Sequence, residues 1–195
     1  IASRALTNIL NSIKYYELDF NNYVKVNTLR DELMAENVKW ISDFEKSKGN
    51  KMLLISGHNG HIAKSEKFYE PMGSHLKKIF GEKYFIIGTD FYKGIVNINV
   101  AGPDNKRSNH VFVSADPLAY SARKFKGKYY LDFTKVKDGE TFDLINKEIN
   151  MISLGEGYSP LMKFMPRTYR VKEVPKNLYD AMIFVYYAKP IAVND

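Results

Sequence analysis

Residues 52–66 read MLLISGHNGHIAKSE. An apolar run over Met52–Ser56 leads straight into two histidines, His58 and His61, each preceded by a glycine and separated by Asn59. The chain has only 4 His in 195 residues, so two of them three positions apart in a glycine-flanked loop is a feature that packing alone rarely requires. Short apolar runs bounded by turn residues are the pattern of buried strands, so the spacing predicts a buried strand at Met52–Ser56 with the histidines in the loop at its carboxyl end. In open α/β sheets that end of a strand is where ligands sit.

Around this stretch the chain alternates helix and strand patterns. Leu6, Ile9, Leu10 and Ile13 keep helical spacing, which predicts an amphipathic helix to about Tyr16. The opening IASRALTNIL reads as already inside that helix, and residues upstream are expected. A second helix is expected from a cap at Asn27 or Thr28 to Lys48, with Gly49 as its stop. On it Arg30, Met34, Asn37, Ile41 and Phe44 share one face, a mixture in which the polar members need partners or a cleft. Beyond the histidines, Pro71–Phe80 reads as a helix stopped by Gly81, Tyr84–Asp90 as a strand, FYKG (91–94) as a turn and Ile95–Val100 as a further strand. Asp116 caps a helix that begins at Pro117 and ends near Gly127. Tyr129–Phe133 reads as a strand, Thr141–Lys147 as a short helix, Gly155–Pro166 as a loop and Tyr179–Tyr187 as a late strand buried in its middle. The β-α-β order implies an α/β fold with a mainly parallel sheet flanked by helices, and no linker divides the chain, so residues 1–195 are read as one unit.

Composition narrows the function. Apolar residues at 45% and charged residues at 26% are ordinary for a globular chain. The 14 Tyr and 12 Phe are many; they fit a binding surface, but more readily a strand-rich core with an amphipathic surface. The net charge of +7 is spread over lysines at Lys46–Lys51, Lys77–Lys83 and Lys124–Lys128 rather than gathered into a stripe with interleaved aromatics, so nucleic acid is not an expected partner. No apolar run is long enough to span a membrane. With no Cys there is neither a disulfide framework, a thiol nucleophile nor a Cys-ligated metal, and the compartment stays open.

The histidine pair admits several chemistries. His-x-x-His can supply two metal ligands, though no HExxH helix accompanies it. GHNG can cradle a phosphate, although the full glycine fingerprint and the Lys-Ser or Lys-Thr that would follow are absent. The pair can also serve as acid/base and oxyanion-stabilising groups of a hydrolytic site, with Asn59 fixing an imidazole tautomer, or the two can be ordinary surface histidines. There is no G-x-S-x-G elbow, so a hydrolase here would use activated water. His75 and His110, assigned to a helix and a loop, are expected to be structural.

Taken in order, RDELMAENVKW (30–40), LLISGHNGHIAKS (53–65) and MGSHLKKIFGEKYFIIGTDFYKG (72–94) resemble the erythromycin esterase family, and YYLDFTKV and NLYDAMIFVYYAKPIA resemble its later strands. The likeness runs from Leu29 to Ile191. Family members carry an Arg-Asp helix with Met-Ala-x-Asn, then a strand entering a Trp-Ala-His-Asn-x-His loop. The resemblance implies an α/β fold with a deep cleft, water-mediated hydrolysis of an ester or macrolactone without a cofactor or metal, and relatives labelled as macrolide-resistance or succinoglycan biosynthesis proteins. It maps the family's paired cleft histidines onto His58 and His61 as catalytic residues, and Arg30, Asn37 and Asn59 onto substrate-binding positions. In those enzymes the favoured general base is a histidine of the N-terminal half, helped by glutamates. Nothing here matches that cluster, so the chain resembles the C-terminal half of a member and its expected partners are an ester or lactone and that missing half. Gly57 and Gly60 stand where the family usually has alanine, and Ser56 stands in place of tryptophan, which leans against a dedicated resistance enzyme. A non-catalytic glycan- or polyketide-binding module and a metal-dependent hydrolase are the alternatives.

Overall fold

A computed structural model describes residues 2–100, 106–155 and 157–190. The chain gathers into two compact units, Ile1–Phe85 and Ile86–Asp195.

The described part of the first unit is helical: α1 (Ala2–Tyr16), α2 (Tyr23–Ser47), α3 (Asn59–Ile62) and α4 (Met72–Phe80). α1 matches its periodicity, but Leu6, Ile9, Leu10 and Ile13 are all at least half exposed. α2 starts a turn earlier than Asn27, because Asn22 already caps it by accepting the Lys25 N–H on its side chain at 3.1 Å. Gly49 ends that helix with φ +90°, a conformation in which a Cβ would be strained. The buried face of α2 is also shifted by one position from the expected one. Asp31, Met34, Ala35 and Val38 face inward, while Ile41 is exposed. Ala35 decides the register, since its small side chain lets Met72 and Leu76 of α4 pack against α2, with Ile55, Ile62, Phe80 and Tyr84 closing the cluster.

Met52–Ser56 is not a strand. No strand among the described residues pairs with the segment, and Met52 and Leu54 are 88% and 91% exposed. Only Ile55 turns into the helical core. Hydrophobicity alone does not make a strand, because its backbone N–H and C=O groups need a neighbouring ladder. The histidines therefore lie at the start of α3 rather than at a strand end.

The second unit carries a mixed sheet in the order β2-β1-β7-β3, with β5 also on β1. The strands are β1 (Ile87–Val100), β2 (Arg107–Val113), β3 (Lys128–Asp132), β5 (Gly157–Tyr158) and β7 (Ala181–Ala188), while β4 (Ile149–Ile152) and β6 (Arg170–Glu173) form a separate antiparallel pair. Helices α5 (Pro117–Ser121), α6 (Gly139–Ile145), α7 (Leu161–Phe164) and α8 (Pro175–Leu178) complete the unit. The α/β class holds. Parallel pairing lies at the centre, β1 with β7 and β5, while β2 and β3 pair antiparallel. FYKG is no turn, since β1 runs unbroken through it. Gly94 leaves room for the Phe91 ring, which would stand 2.7 Å from a Cβ there, and at this point β1 is paired on both sides, Gly94 with Ala188 and with Phe112. His110 lies on β2 rather than in a loop, and Gly155–Pro166 includes β5 and the single turn of α7.

Asp116 caps α5 as expected, accepting the Leu118 N–H at 2.7 Å. It is buried with Asp90 of β1, whose carboxylate accepts the N–H of Phe91 at 2.6 Å and of Ile152 at 3.4 Å. Asp116 Oδ2 receives no N–H or hydroxyl, so the donor left for it is a proton carried by Asp90. Burial, and then the charge of Asp116, push the Asp90 carboxyl well up; burial pushes that of Asp116 up to about 6. Tyr129 of β3, raised by its own burial and then by Asp116, adds no positive charge to the pair.

Two predictions follow from these contacts. A Cβ on Gly73 would lie 2.1 Å from the Ile62 carbonyl oxygen; Gly73→Ala is expected to destabilise the first unit by roughly 2–3 kcal/mol, read by denaturant unfolding with the single Trp40 as probe. A folded-state carboxyl that keeps its proton to higher pH than an unfolded one stabilises fully at low pH and loses that contribution as pH rises through about 6. Through Asp116 the second unit should accordingly lose roughly 2–3 kcal/mol between pH 4 and 8, and Asp116→Asn, which keeps a capping oxygen, should flatten the profile in thermal unfolding followed by tyrosine near-ultraviolet dichroism.

Candidate active site

The first unit's polar centre is built on Asp31, which has 0% exposure. Its Oδ2 accepts the backbone N–H of Met72 at 2.9 Å and the Nδ1–H of His61 at 2.8 Å. Pro71 offers no side-chain cap to α4, so Asp31 supplies from α2 the acceptor that the helix start needs, and the helix dipole favours the negative charge there. With Nδ1 donating to a carboxylate, His61 presents its Nε2 lone pair, and Arg30 donates to it from Nη2 at 2.9 Å. Arg30 Nε and Asp31 Oδ1 face each other at 3.6 Å as an ion pair beyond hydrogen-bond length. Both atoms are buried and take no hydrogen bond. Carboxylate, imidazole and guanidinium thus form one chain: the aspartate fixes the tautomer, and the imidazole fixes the arginine.

His58 precedes α3 and caps it, its Nδ1 accepting the Gly60 N–H at 3.2 Å. That bond puts the ring proton of a neutral His58 on Nε2. The two imidazoles stand 6.3 Å apart at 71°. Asn59 opens α3, where its carbonyl accepts the Ala63 N–H at 3.1 Å. Asn37 is engaged elsewhere: its side chain accepts from Arg4 Nε of α1 at 3.0 Å. The structure therefore joins Arg30 and His61 by a hydrogen bond, sets His58 and Asn59 beside them on the same turn, and ties Asn37 to α1. His75, on α4, has Nε2 3.9 Å from Glu70, whose carboxyl is held low first by its bond to Lys78.

Asp31 escaped the sequence reading because the neighbouring Arg30 was assigned to the face that counted. The available signal was register: Asp31 is four residues before Ala35 and seven before Val38, which makes it a charge on the apolar stripe. Tyr69 escaped as well. Burial, followed by the charge of Asp31, pushes its phenol up to about 12.

A metal ion fits poorly at the His-x-x-His pair, because both ring nitrogens of His61 are already committed, to Asp31 and to Arg30. Among the described residues no three His, Cys, Asp or Glu side chains form a metal-binding group, and no helix is long and apolar enough to cross a membrane.

The molecule is thus an α/β protein whose polar site is an acid–imidazole–guanidinium chain on a helical unit. Its residues 2–187 match the family profile described as erythromycin esterase, and the chain belongs to that family. Among solved structures it is similar to a Bacillus cereus protein, with a TM-score of 0.75, 22% identity, and coverage of 93% of this chain and 43% of that one. It is also similar to a succinoglycan biosynthesis protein, with a TM-score of 0.69, 18% identity, and coverage of 86% and 40%. A variant of the erythromycin esterase EreC in its open conformation gives a TM-score of 0.51, 16% identity, and coverage of 86% and 38%. These likenesses show the fold, and the chain spans less than half the length of each of these structures. No curated protein matches it.

Removing the carboxylate tests the chain of bonds. Asp31→Ala would strand the α4 N-terminus, His61 and Arg30 together, and should cost about 3–5 kcal/mol in denaturant unfolding read through Trp40.

Proposed function

We propose that this chain forms part of a hydrolase that opens a carboxylic ester or lactone with water. The observation that carries the reading is the hydrogen-bonded chain Asp31–His61–Arg30, with His58 at 6.3 Å on the same turn. Attack of water on an ester carbonyl needs a base for the water, a positive or donor environment for the developing oxyanion, and a proton for the departing alkoxide. Arg30, held in place by His61 Nε2, is placed to meet negative charge. His58, with its proton on Nε2, is a donor suited to the oxyanion or the leaving group. His61 can accept a proton only after Arg30 releases Nε2, so in the arrangement seen it positions the guanidinium while Asp31 holds the imidazole. In this reading the base that activates water comes from a part of the protein beyond residues 1–195, the N-terminal half that the family resemblance implies. Asn59 lies at the same turn and is kept as a substrate contact. Asn37, bonded to Arg4, would act on the ligand only indirectly.

One observation favours a second reading. With Arg30 on His61 Nε2, the imidazole that Asp31 orients is not poised as a base, which suits a module that binds a glycan or polyketide without turning it over.

Mass spectrometry separates the two. A macrolide and a panel of lactones and esters are incubated with this chain and with the longer protein that contains it. Gain of one water on a substrate with the longer protein supports the hydrolase. His58→Ala and His61→Ala should then each lower the rate about 100-fold or more while leaving the circular dichroism unchanged. Hydrolysis by both variants at the parent rate would remove the assignment of these two residues. Saturable binding of a panel compound with no mass change favours the binding module.

A further inference from the structure

Helix α1 is amphipathic, but it is turned the opposite way to an ordinary surface helix. At about 3.6 residues per turn, Leu6, Ile9, Leu10 and Ile13 fall within an arc of roughly 100°, and Arg4, Asn8, Asn11 and Tyr15 within roughly 60° on the opposite side. The side that meets α2 is the polar one. Arg4 donates from Nε to Asn37 Oδ1 of α2 at 3.0 Å, and Arg4 Nη2 and Asn8 Oδ1 are shut away from solvent. Asn11 and Tyr15 are half-buried on the same side. The apolar stripe points away from α2 and is 50–59% exposed, and Tyr16, seven residues after Ile9, lengthens it at 74%. A surface helix ordinarily turns its apolar stripe to the core and its polar side to water. Large apolar side chains standing together in water mark an interaction surface, unlike the same residues scattered singly. The polar side of α1 is therefore taken by the first unit, and its apolar side is left for another partner.

We propose that this stripe is the seat of the half of the protein outside residues 1–195, docked through Leu6, Ile9, Leu10 and Ile13. The family profile covers residues 2–187 and with them all of α1, so the helix belongs to the family's domain and is no appendage to it. Similar solved structures overlay 93% of this chain with 43% of theirs, or 86% with 40%. More than half of each such chain therefore lies outside the shared part, enough to cover an apolar face of it. A lipid surface suits the stripe less well. Helices that lie in a membrane interface line their polar side with Lys and Arg, whereas the side opposite this stripe holds Arg4 among neutral residues and is itself packed on α2. The proposal rests on the reading above for the existence of that half, and it adds the surface by which the two are joined.

Residues 1–195 hold no Cys, so a thiol placed on the stripe is a reporter there. Ile9→Cys is made in this chain and in the longer protein that contains it, both at low concentration, and its reaction with N-ethylmaleimide is timed by mass spectrometry of the α1 peptide. The thiol should react about tenfold or more slowly in the longer protein, since reactivity follows exposure, with circular dichroism unchanged in both. Hydrogen–deuterium exchange of the α1 amides in the unsubstituted proteins needs no variant and should slow by about the same factor. Equal rates in the two forms overturn the proposal. So does protection in residues 1–195 that is as strong and grows with their concentration, which assigns the stripe to a second copy, and so does protection that appears only with anionic lipid vesicles. Neither readout uses a substrate. A covered stripe in a protein that hydrolyses no ester of the panel leaves the interface standing and fails the hydrolytic reading. Ester hydrolysis with equal thiol rates leaves that reading standing and overturns the interface.

Discussion

A carboxylate without water must have its charge answered by the protein, and Asp31 meets that demand by gathering three elements around itself. Its Oδ2 takes the first N–H of α4 and the Nδ1–H of His61, and the α2 backbone that carries it also carries Arg30. The cost of burying the charge is large unless it is answered, here by two bonds to Oδ2 and by the Arg30 guanidinium 3.6 Å from Oδ1. The helix pair, the short α3 turn and the arginine are therefore specified together, and the polar centre is also the joint that docks α4 on α2. Ala35 and Gly73 make the docking possible, one by being small against Met72 and Leu76, the other by leaving no Cβ against the Ile62 carbonyl.

The local signals in the sequence were legible where one residue decides one feature. Asp116 capping Pro117, Gly49 and Gly81 ending helices, and the periodicity of α1 all appear in the structure. Arg30 and His61 are brought together across 31 positions, a contact that was not legible because Asp31, which organises them, was masked by its neighbour. What failed were inferences that depend on a partner far along the chain. Met52–Ser56 has the composition of a strand and no ladder; FYKG has the composition of a turn, yet is bound on both sides by β2 and β7. Strand β2, with its run RSNHVFV, went unread because its polar half offers no alternation, and Phe112 is the one side chain it buries fully.

Family membership and geometry bear on different links of the argument. The profile match places the chain in the erythromycin esterase family, and solved structures at 16–22% identity bear out the α/β architecture. Neither assigns a substrate, since folds host many chemistries and the site decides among them. Here the site is a guanidinium held by a histidine held by an aspartate, an order suited to meeting negative charge more than to withdrawing protons.

The exposed run from Met52 to Leu54 also has a colloidal meaning. It offers backbone donors and acceptors outside the sheets of the described residues, between two side chains that stand almost wholly in water. Such a segment is a template for the edge of another chain, and Lys51 beside it is the kind of charge that discourages the pairing. At high concentration and high ionic strength, where that charge is screened, self-association of residues 1–195 taken alone is expected to begin there.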